Sequence, residues 1–379
     1  MIDSANPETT TVPPLRGPVV HVDTEHGFSG GEVQVFLLME GLRRRGLEQV
    51  LVAPNGSESA RRARERGFLV HEIAMRNSLD LASVWRLARV LRTAGIAHLH
   101  TGRAAWLGSL AANRARCPVV VTRRMDRKVK RGFRTWYAYT RTAKTVVAIS
   151  PAVRQCLLDG GVPSARIEVV WEALDDARIA VTKGRALMRR ELGLDDSTFA
   201  LLVLAVLTKR KGVDVLLAAM KRLASSASFQ NLCLFVGGDG PEMATLQAMA
   251  RDLGIEGRVR FLGRRHDAGD LLAACDAFVL PSRAEGLGVA ALEALGAGRP
   301  VIASRVGGLG EMVIDGQCGL LVPPEDDSAL ANAIAALEQD RALAQRLGLG
   351  GPLRIDQGFR LEQLVERHLR IYSSAARAE

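Results

Sequence analysis

Short apolar runs recur along this chain, each followed by a stretch long enough for a helix. In the first half they are PVVHVD (18–23), QVLVA (49–53), AHLH (97–100), VVVT (119–122) and TVVAIS (145–150). The runs are nearly continuous rather than alternating, so both faces of each strand are covered, as in a parallel sheet flanked by helices. The rhythm restarts with FALLVLAVL (199–207), LCLFVG (232–237), VRFLG (259–263), AFVLPS (277–282), PVIAS (300–304) and GLLVPP (319–324). The pattern predicts an α/β protein of two doubly wound domains. Strand patterning lapses and charge rises over 173–192, which puts the seam there and the domains at 18–178 and 179–358. Leu361, Leu364, Val365, Leu369 and Tyr372 fall at mixed three- and four-residue spacing. They predict an amphipathic helix within 359–379 that needs a partner surface, expected on the N-terminal domain. Residues 1–17, polar and proline-bearing, read as a flexible tail.

Composition agrees with two cores. The chain has 379 residues, 47% of them hydrophobic, enough for two domains of roughly 150 to 200 residues. No apolar run approaches the ~18 residues of a membrane span, and the N-terminus lacks the basic start and apolar core of a secretion signal. Five scattered cysteines without a C-x-x-C pair suggest reduced thiols in a cytosol and argue against a zinc site. The net charge of +10 is partly concentrated: Arg123 to Lys144 holds nine Lys or Arg against one acid, Asp126, with Phe133, Trp136, Tyr137 and Tyr139 interleaved. Such a stretch is a solvated basic helix face, a contact for an anionic membrane surface, or a contact for an anionic polymer. No nucleic-acid-binding motif accompanies it, so nucleic acid is not expected and the membrane stands ahead.

The candidate chemistry gathers at strand ends. RAEGLGVAALEALGAGRPVIAS (283–304) holds Glu285 and Glu293 eight residues apart, about 12 Å of rise on an ideal helix, too far to hold one atom jointly. Gly286 and Gly288 argue that the helix begins only near Val289. The loop then presents backbone N–H groups at a helix N-terminus, where phosphate is favoured. Lys209, Arg210 and Lys211 follow the strand FALLVLAVL directly, placed to meet phosphate oxygens. Gly238 lies in VGGDGPE (236–242), and VGGLGEMVIDGQCGLLVP (306–323) adds another glycine turn. Gly30 and Gly31 open a helix after the first strand, but G-x-G-x-x-G spacing is missing and no acid ends the second strand, so a dinucleotide site is weakly supported.

With these residues in view the sequence resembles a GT-B glycosyltransferase of the large retaining family numbered four. The resemblance rests on Gly30-Gly31-Glu32, Arg210-Lys211-Gly212, GGDGPE (237–242), the E-x7-E pair Glu285 and Glu293, and GGLGEMVIDGQCGLLVPPED (307–326). It implies two Rossmann-like domains facing across a cleft, with a nucleotide-sugar donor on the C-terminal one. By that resemblance Glu293 would accept from the ribose hydroxyls and Glu285 would lie by the transferred sugar. Arg210 and Lys211 would neutralise the diphosphate, with Lys209, Gly30, Gly31 and Gly238 among the donor contacts. The N–H groups of Leu287, Gly288 and Val289 would assist, and Arg264 would edge the base. No cofactor or metal is implied, since cations and a helix dipole can stabilise the departing diphosphate.

Three positions depart from the family. The arginine many members carry five residues before the lysine is Val206 here, and the aromatic between the motif's glycines is Leu287. The usual histidine after VVVT is replaced, since the chain reads Thr122-Arg123-Arg124, leaving Arg123, Arg124 or His100 as acceptor contacts. The implied activity is hexosyl transfer with retention, UDP-sugar being the default donor. The implied acceptor is a membrane-linked glycan such as lipopolysaccharide core, or a glycolipid, reached by a cytoplasmic or peripheral enzyme. A sugar-nucleotide epimerase on the same fold and a non-catalytic nucleotide-sugar binder are the alternatives.

Overall fold

The structure is a computed structural model describing residues 15–224 and 227–377; most of the expected tail, residues 1–14, lies outside them. The chain divides into two compact units. The first runs to Ala173 and takes back the chain from Arg360 onward, and the second comprises Leu174–Phe359.

The first unit is built on a parallel seven-stranded sheet. Its strands are β1 (Val19–Val22), β2 (Gln49–Ala53), β3 (Leu69–Glu72), β4 (Ile96–Leu99), β5 (Val119–Arg123), β6 (Ala143–Ala148) and β7 (Ile167–Val169). Their spatial order is β3-β2-β1-β4-β5-β6-β7, so the chain winds outward from β1, returns at β4 and winds the other way. The apolar runs became the central strands because helices cover both faces, as with Val19, Leu51, Leu99 and Val120, all fully buried. The strands that patterning does not mark, β3 and β7, are the two edges. LVHE and IEV are only partly covered there, so no apolar run is required of them. The helix Leu361–Arg377 lays Leu364, Val365, Leu369, Ile371 and Tyr372 into a cluster with Val19, Leu42, Ile96, Val120 and Val147.

The second unit repeats the design with six parallel strands in the order β10-β9-β8-β11-β12-β13. They are β8 (Phe199–Leu204), β9 (Leu232–Gly237), β10 (Val259–Gly263), β11 (Ala277–Leu280), β12 (Val301–Ser304) and β13 (Gly319–Val322). Phe199, Phe235 and Phe278 are fully buried in its core. β8 stops three residues short of the apolar run FALLVLAVL. After Leu204 the chain bends, with Ala205 and Leu207 donating to Gly237 and Asp239 carbonyls at 3.0 and 2.9 Å, which launches the cationic loop from the sheet edge.

The basic stretch 123–144 corrects one expectation, because it is not a single helix face. It leaves β5 as a loop, makes one helical turn (Phe133–Thr135) and a π-helical turn (Trp136–Thr142), and enters β6. Val129, Ala138 and Tyr139 anchor it in the core. The five cysteines are free. No helix among the described residues is long and apolar enough to cross a membrane.

Candidate functional site

In a doubly wound sheet, loops at the carboxyl ends of the strands diverge where the winding reverses, and the gap between them is where ligands bind. In the second unit that point lies between β8 and β11, so the loops after those strands, 205–212 and 281–288, are neighbours. Gly212 is required there: its φ is +66°, and a Cβ would stand 1.9 Å from the Pro281 carbonyl oxygen. The loops are tied by the Arg283 N–H, which donates to the Arg210 carbonyl at 2.8 Å. The Arg283 guanidinium adds bonds to the Lys209 carbonyl (2.6 Å), to both Asp214 oxygens (2.8 and 2.7 Å) and to Glu325 (2.8 Å).

This clamp brings Lys211 onto Glu285. The Lys211 ammonium donates to Glu285 Oε1, which also accepts from Ser282 Oγ at 3.0 Å; Glu285 is 5% exposed. A cation and an acid thus share the switch point, with a donor hydroxyl beneath. The helix does begin at Val289, so its first N–H groups have no acceptor within the helix. Gly288, at φ +94°, turns the chain into that helix, and a Cβ there would meet Leu309 at 2.5 Å. Glu293 lies one turn in, 2% exposed, paired with the Arg178 guanidinium. Burial raises its carboxyl above the usual carboxylate range, and Arg178 opposes that shift.

The remaining candidates sit around this group. Arg210 is half-buried and Lys209 exposed. Gly286, Leu287 and Gly288 are buried. Gly238 gives its N–H to the Gly263 carbonyl at 2.7 Å, which ties the ends of β9 and β10 together. Arg264 is exposed at the end of β10, the sheet's far edge and two strands from β8.

The first unit reverses between β1 and β4, and there Gly31, His100 and Arg124 come together. The Arg124 stem passes over the glycine turn, its Cδ 3.5 Å from where a Gly31 Cβ would be. Gly30 opens the helix Gly30–Arg44, and Glu32 holds the turn before it by accepting from the Ser29 N–H (2.6 Å) and hydroxyl (2.7 Å). Arg123 turns away, donating to the Met125 and Arg127 carbonyls at 3.1 Å each.

Behind Arg124 lies a buried chain whose proton directions follow from its ends. Gln49 Nε2 donates to the Leu47 and Glu48 carbonyls at 3.2 and 3.0 Å. Its Oε1 is therefore the acceptor of the 2.7 Å bond from His21 Nε2. His21 Nδ1 must then accept from His100 Nε2 (2.9 Å), and His100 Nδ1 from Arg124 Nη1 (3.2 Å). Arg124 Nε completes the line on Glu172 at 2.8 Å. Both rings are neutral in this arrangement, consistent with burial, which lowers His21 to about 4 and His100 well below its ordinary value. His98 bonds Tyr372 and Thr122 at 2.7 Å each, and His368 donates to the Leu364 carbonyl at 2.8 Å. His21, His98 and His100 bring potential ligand atoms within 4.8 Å of one another. The guanidinium donating to His100 and the bonds already made by both nitrogens of each ring oppose a resident cation there.

Sequence reasoning missed several residues of these sites: Asp23, Glu172, Arg178, Ser282 and Arg283. Asp23 ends β1, is 1% exposed, and is raised to about 7 by burial and by Glu32, a carboxyl poised near neutrality. A strand-end position was the only signal for Asp23. Arg178 and Glu172 meet partners 115 and 48 residues away, which spacing does not reveal.

Two parallel-sheet units, each with polar groups at its reversal point, define a GT-B architecture. The model of glycosyl transferases group 1 matches residues 184–353 and that of glycosyltransferase family 4 matches 28–178. The lipopolysaccharide core biosynthesis glycosyltransferase LpsD of Rhizobium meliloti is 30% identical over 93% of this chain and 97% of its own. LpsE of the same organism, also named a lipopolysaccharide core biosynthesis glycosyltransferase, is 28% identical over 92% and 97%. The solved structure of Anabaena Alr3699/HepE in complex with UDP and glucose superposes with a TM-score of 0.84 over 94% of this chain and 100% of that one, at 21% identity. The chain belongs to the group 1 glycosyltransferases.

Proposed function

We propose that this glycosyltransferase moves a hexose, with retention of configuration, from a UDP-sugar bound by the second unit. The acceptor in this reading is a membrane-associated glycan of the lipopolysaccharide-core kind, engaged by the first unit. The observation that carries it is the group at the β8/β11 reversal, where Lys211 and Glu285 are held against each other beside the Val289 helix N-terminus. A departing diphosphate develops negative charge, and Lys211, Arg210 and the helix N–H groups are the donors aimed at it. Glu293 takes the ribose hydroxyls in place of Arg178, and Glu285 orients the sugar. Of the remaining candidates in the second unit, Lys209 and Arg264 border the donor. In this reading the acceptor oxygen bonds to the anomeric carbon on the face the diphosphate leaves, its proton passing to a diphosphate oxygen as the sugar–oxygen bond breaks. No divalent ion is needed where these cations do its electrostatic work.

The names of LpsD and LpsE support the acceptor class, and the UDP-bound neighbour supports the donor. Arg124 with His100 takes the acceptor-side position. Phe133 and Trp136, 67% and 49% exposed among the basic residues of 123–144, suit a peripheral enzyme resting on the anionic inner face of a membrane. Thermal stabilisation by UDP, GDP, ADP and CMP, with and without a matched sugar, tests the donor. A ligand at 100 times its Kd adds about 2.7 kcal/mol. UDP must stabilise the wild type and lose its effect in Glu293→Ala. If only another nucleotide stabilises the protein the UDP assignment falls, and if none does the donor site falls. Turnover that survives EDTA checks metal independence.

A further inference from the structure

The first unit has a cavity of about 280 Å³ at the carboxyl edge of its sheet, between the loop after β4 and the stretch after β5. Five cations line it, Arg103, Arg123, Lys128, Lys130 and Arg134, and no aspartate or glutamate does. None of the five is ion-paired with a carboxylate among the described residues. Arg103 and Arg123 instead donate to the main-chain carbonyls of Met75, Met125 and Arg127, neutral acceptors that leave the charge in place. Some surface arginines differ: Arg43, Arg61, Arg64, Arg185 and Arg222 each carry a carboxylate. The cavity also receives the first residues of the fourteen-residue helix Gly102–Ala115, whose N-terminal dipole end adds positive potential. Trp106 supplies an apolar wall, fixed by its indole N–H on the Ser78 carbonyl at 2.8 Å. Like charges converging on this partly open cleft repel one another, and an anion that joins them relieves the repulsion.

We propose that this cavity is an anion subsite that takes a phosphate group carried by the acceptor. The inference rests on assigning the acceptor to the first unit. The chemistry needed is a phosphate with two or three free oxygens within reach of several cations and backbone N–H groups. A phosphorylated saccharide and an anionic phospholipid headgroup both offer it.

The test uses the full chain with excess UDP present, so that the donor site does not compete. Affinity is measured for inorganic phosphate, glucose 1-phosphate and neutral glucose, and for vesicles of phosphatidylglycerol against phosphatidylcholine. The variant Lys128→Gln/Lys130→Gln changes two exposed side chains that make no hydrogen bond or ion pair among the described residues, and Lys130→Arg keeps the charge. The expected result is binding of glucose 1-phosphate, not glucose, weakened at least tenfold in the double variant and retained in Lys130→Arg. Loss of phosphatidylglycerol binding together with weakened inorganic phosphate binding in the double variant also supports the subsite, and names a lipid headgroup as the source. Loss of phosphatidylglycerol binding with phosphate binding unchanged is general membrane attraction by the basic stretch and overturns it. Absence of binding in both arms, or binding that the double variant leaves unchanged, overturns it. UDP stabilisation recorded on the same samples separates this failure from a failure of the donor assignment.

Discussion

Acidification should unfold the first unit selectively, through its buried histidines. His21 and His368 are lowered to about 4, and His98 and His100 well below the ordinary value of 6.5, in each case chiefly because burial penalises the charged ring. A group whose folded pKa is depressed contributes stability that is present above its unfolded pKa and lost as pH falls toward the folded one. The window therefore opens at about 6.5 and runs down to about 4. Asp23 acts the other way: raised from 3.8 to about 7, it holds a proton only when folded and gains stability as pH falls through that range. Glu168, also raised by desolvation, adds to that opposing sense. Between pH 6.5 and 5.5 four unfolded histidines bind on average about three protons, and folded Asp23 holds about one, so unfolding takes up roughly two. That is about 3 kcal/mol lost over one pH unit, or roughly 6 to 12 °C in Tm for a unit of this size. All four tryptophans, Trp85, Trp106, Trp136 and Trp171, lie in the first unit, so tryptophan fluorescence reports its melting. His368→Leu, which removes one of the four titrating rings, should reduce the loss by about 1 kcal/mol. A fluorescence Tm that moves less than about 2 °C between these pH values, or a slope indifferent to His368→Leu, refutes the reasoning.

Other outcomes follow from the second unit. Lys211→Ala removes the cation at the reversal point and should lower kcat by about 100- to 1000-fold with a smaller change in KM; steady-state kinetics at saturating donor decide it. Glu293→Ala should raise the donor Kd about 10- to 100-fold, the range expected for a buried charged hydrogen-bonding group, and leave acceptor KM unchanged; calorimetry with UDP reads this. Gly212→Ala forces a Cβ against the Pro281 carbonyl at 1.9 Å in a left-handed conformation. It should cost the second unit more than about 2 kcal/mol, visible as a lower urea midpoint by circular dichroism with the fluorescence transition unmoved.

What the chain determined by itself was the sheet architecture and the strand ends that carry chemistry. Continuous apolar runs survive only where both faces of a strand are covered, so every central strand announced itself. The edges β3 and β7, half-solvated, did not. Glycine placed the start of the Val289 helix, because backbone conformation is a local property, and the end of an apolar run placed the cations at Lys209 to Lys211. The resemblance also singled out Glu285 and Glu293. Tertiary structure decided the partners. That Lys211 meets Glu285, that Arg178 covers Glu293 and that Arg283 clamps two loops depends on winding that brings residues 69 to 115 positions apart to one edge. The buried line from Gln49 through His21 and His100 to Arg124 and Glu172 draws on five separate strands or strand ends. Hydrogen-bond direction and burial act over a few ångströms of space, and the spacing of residues along a chain does not encode distances across a sheet.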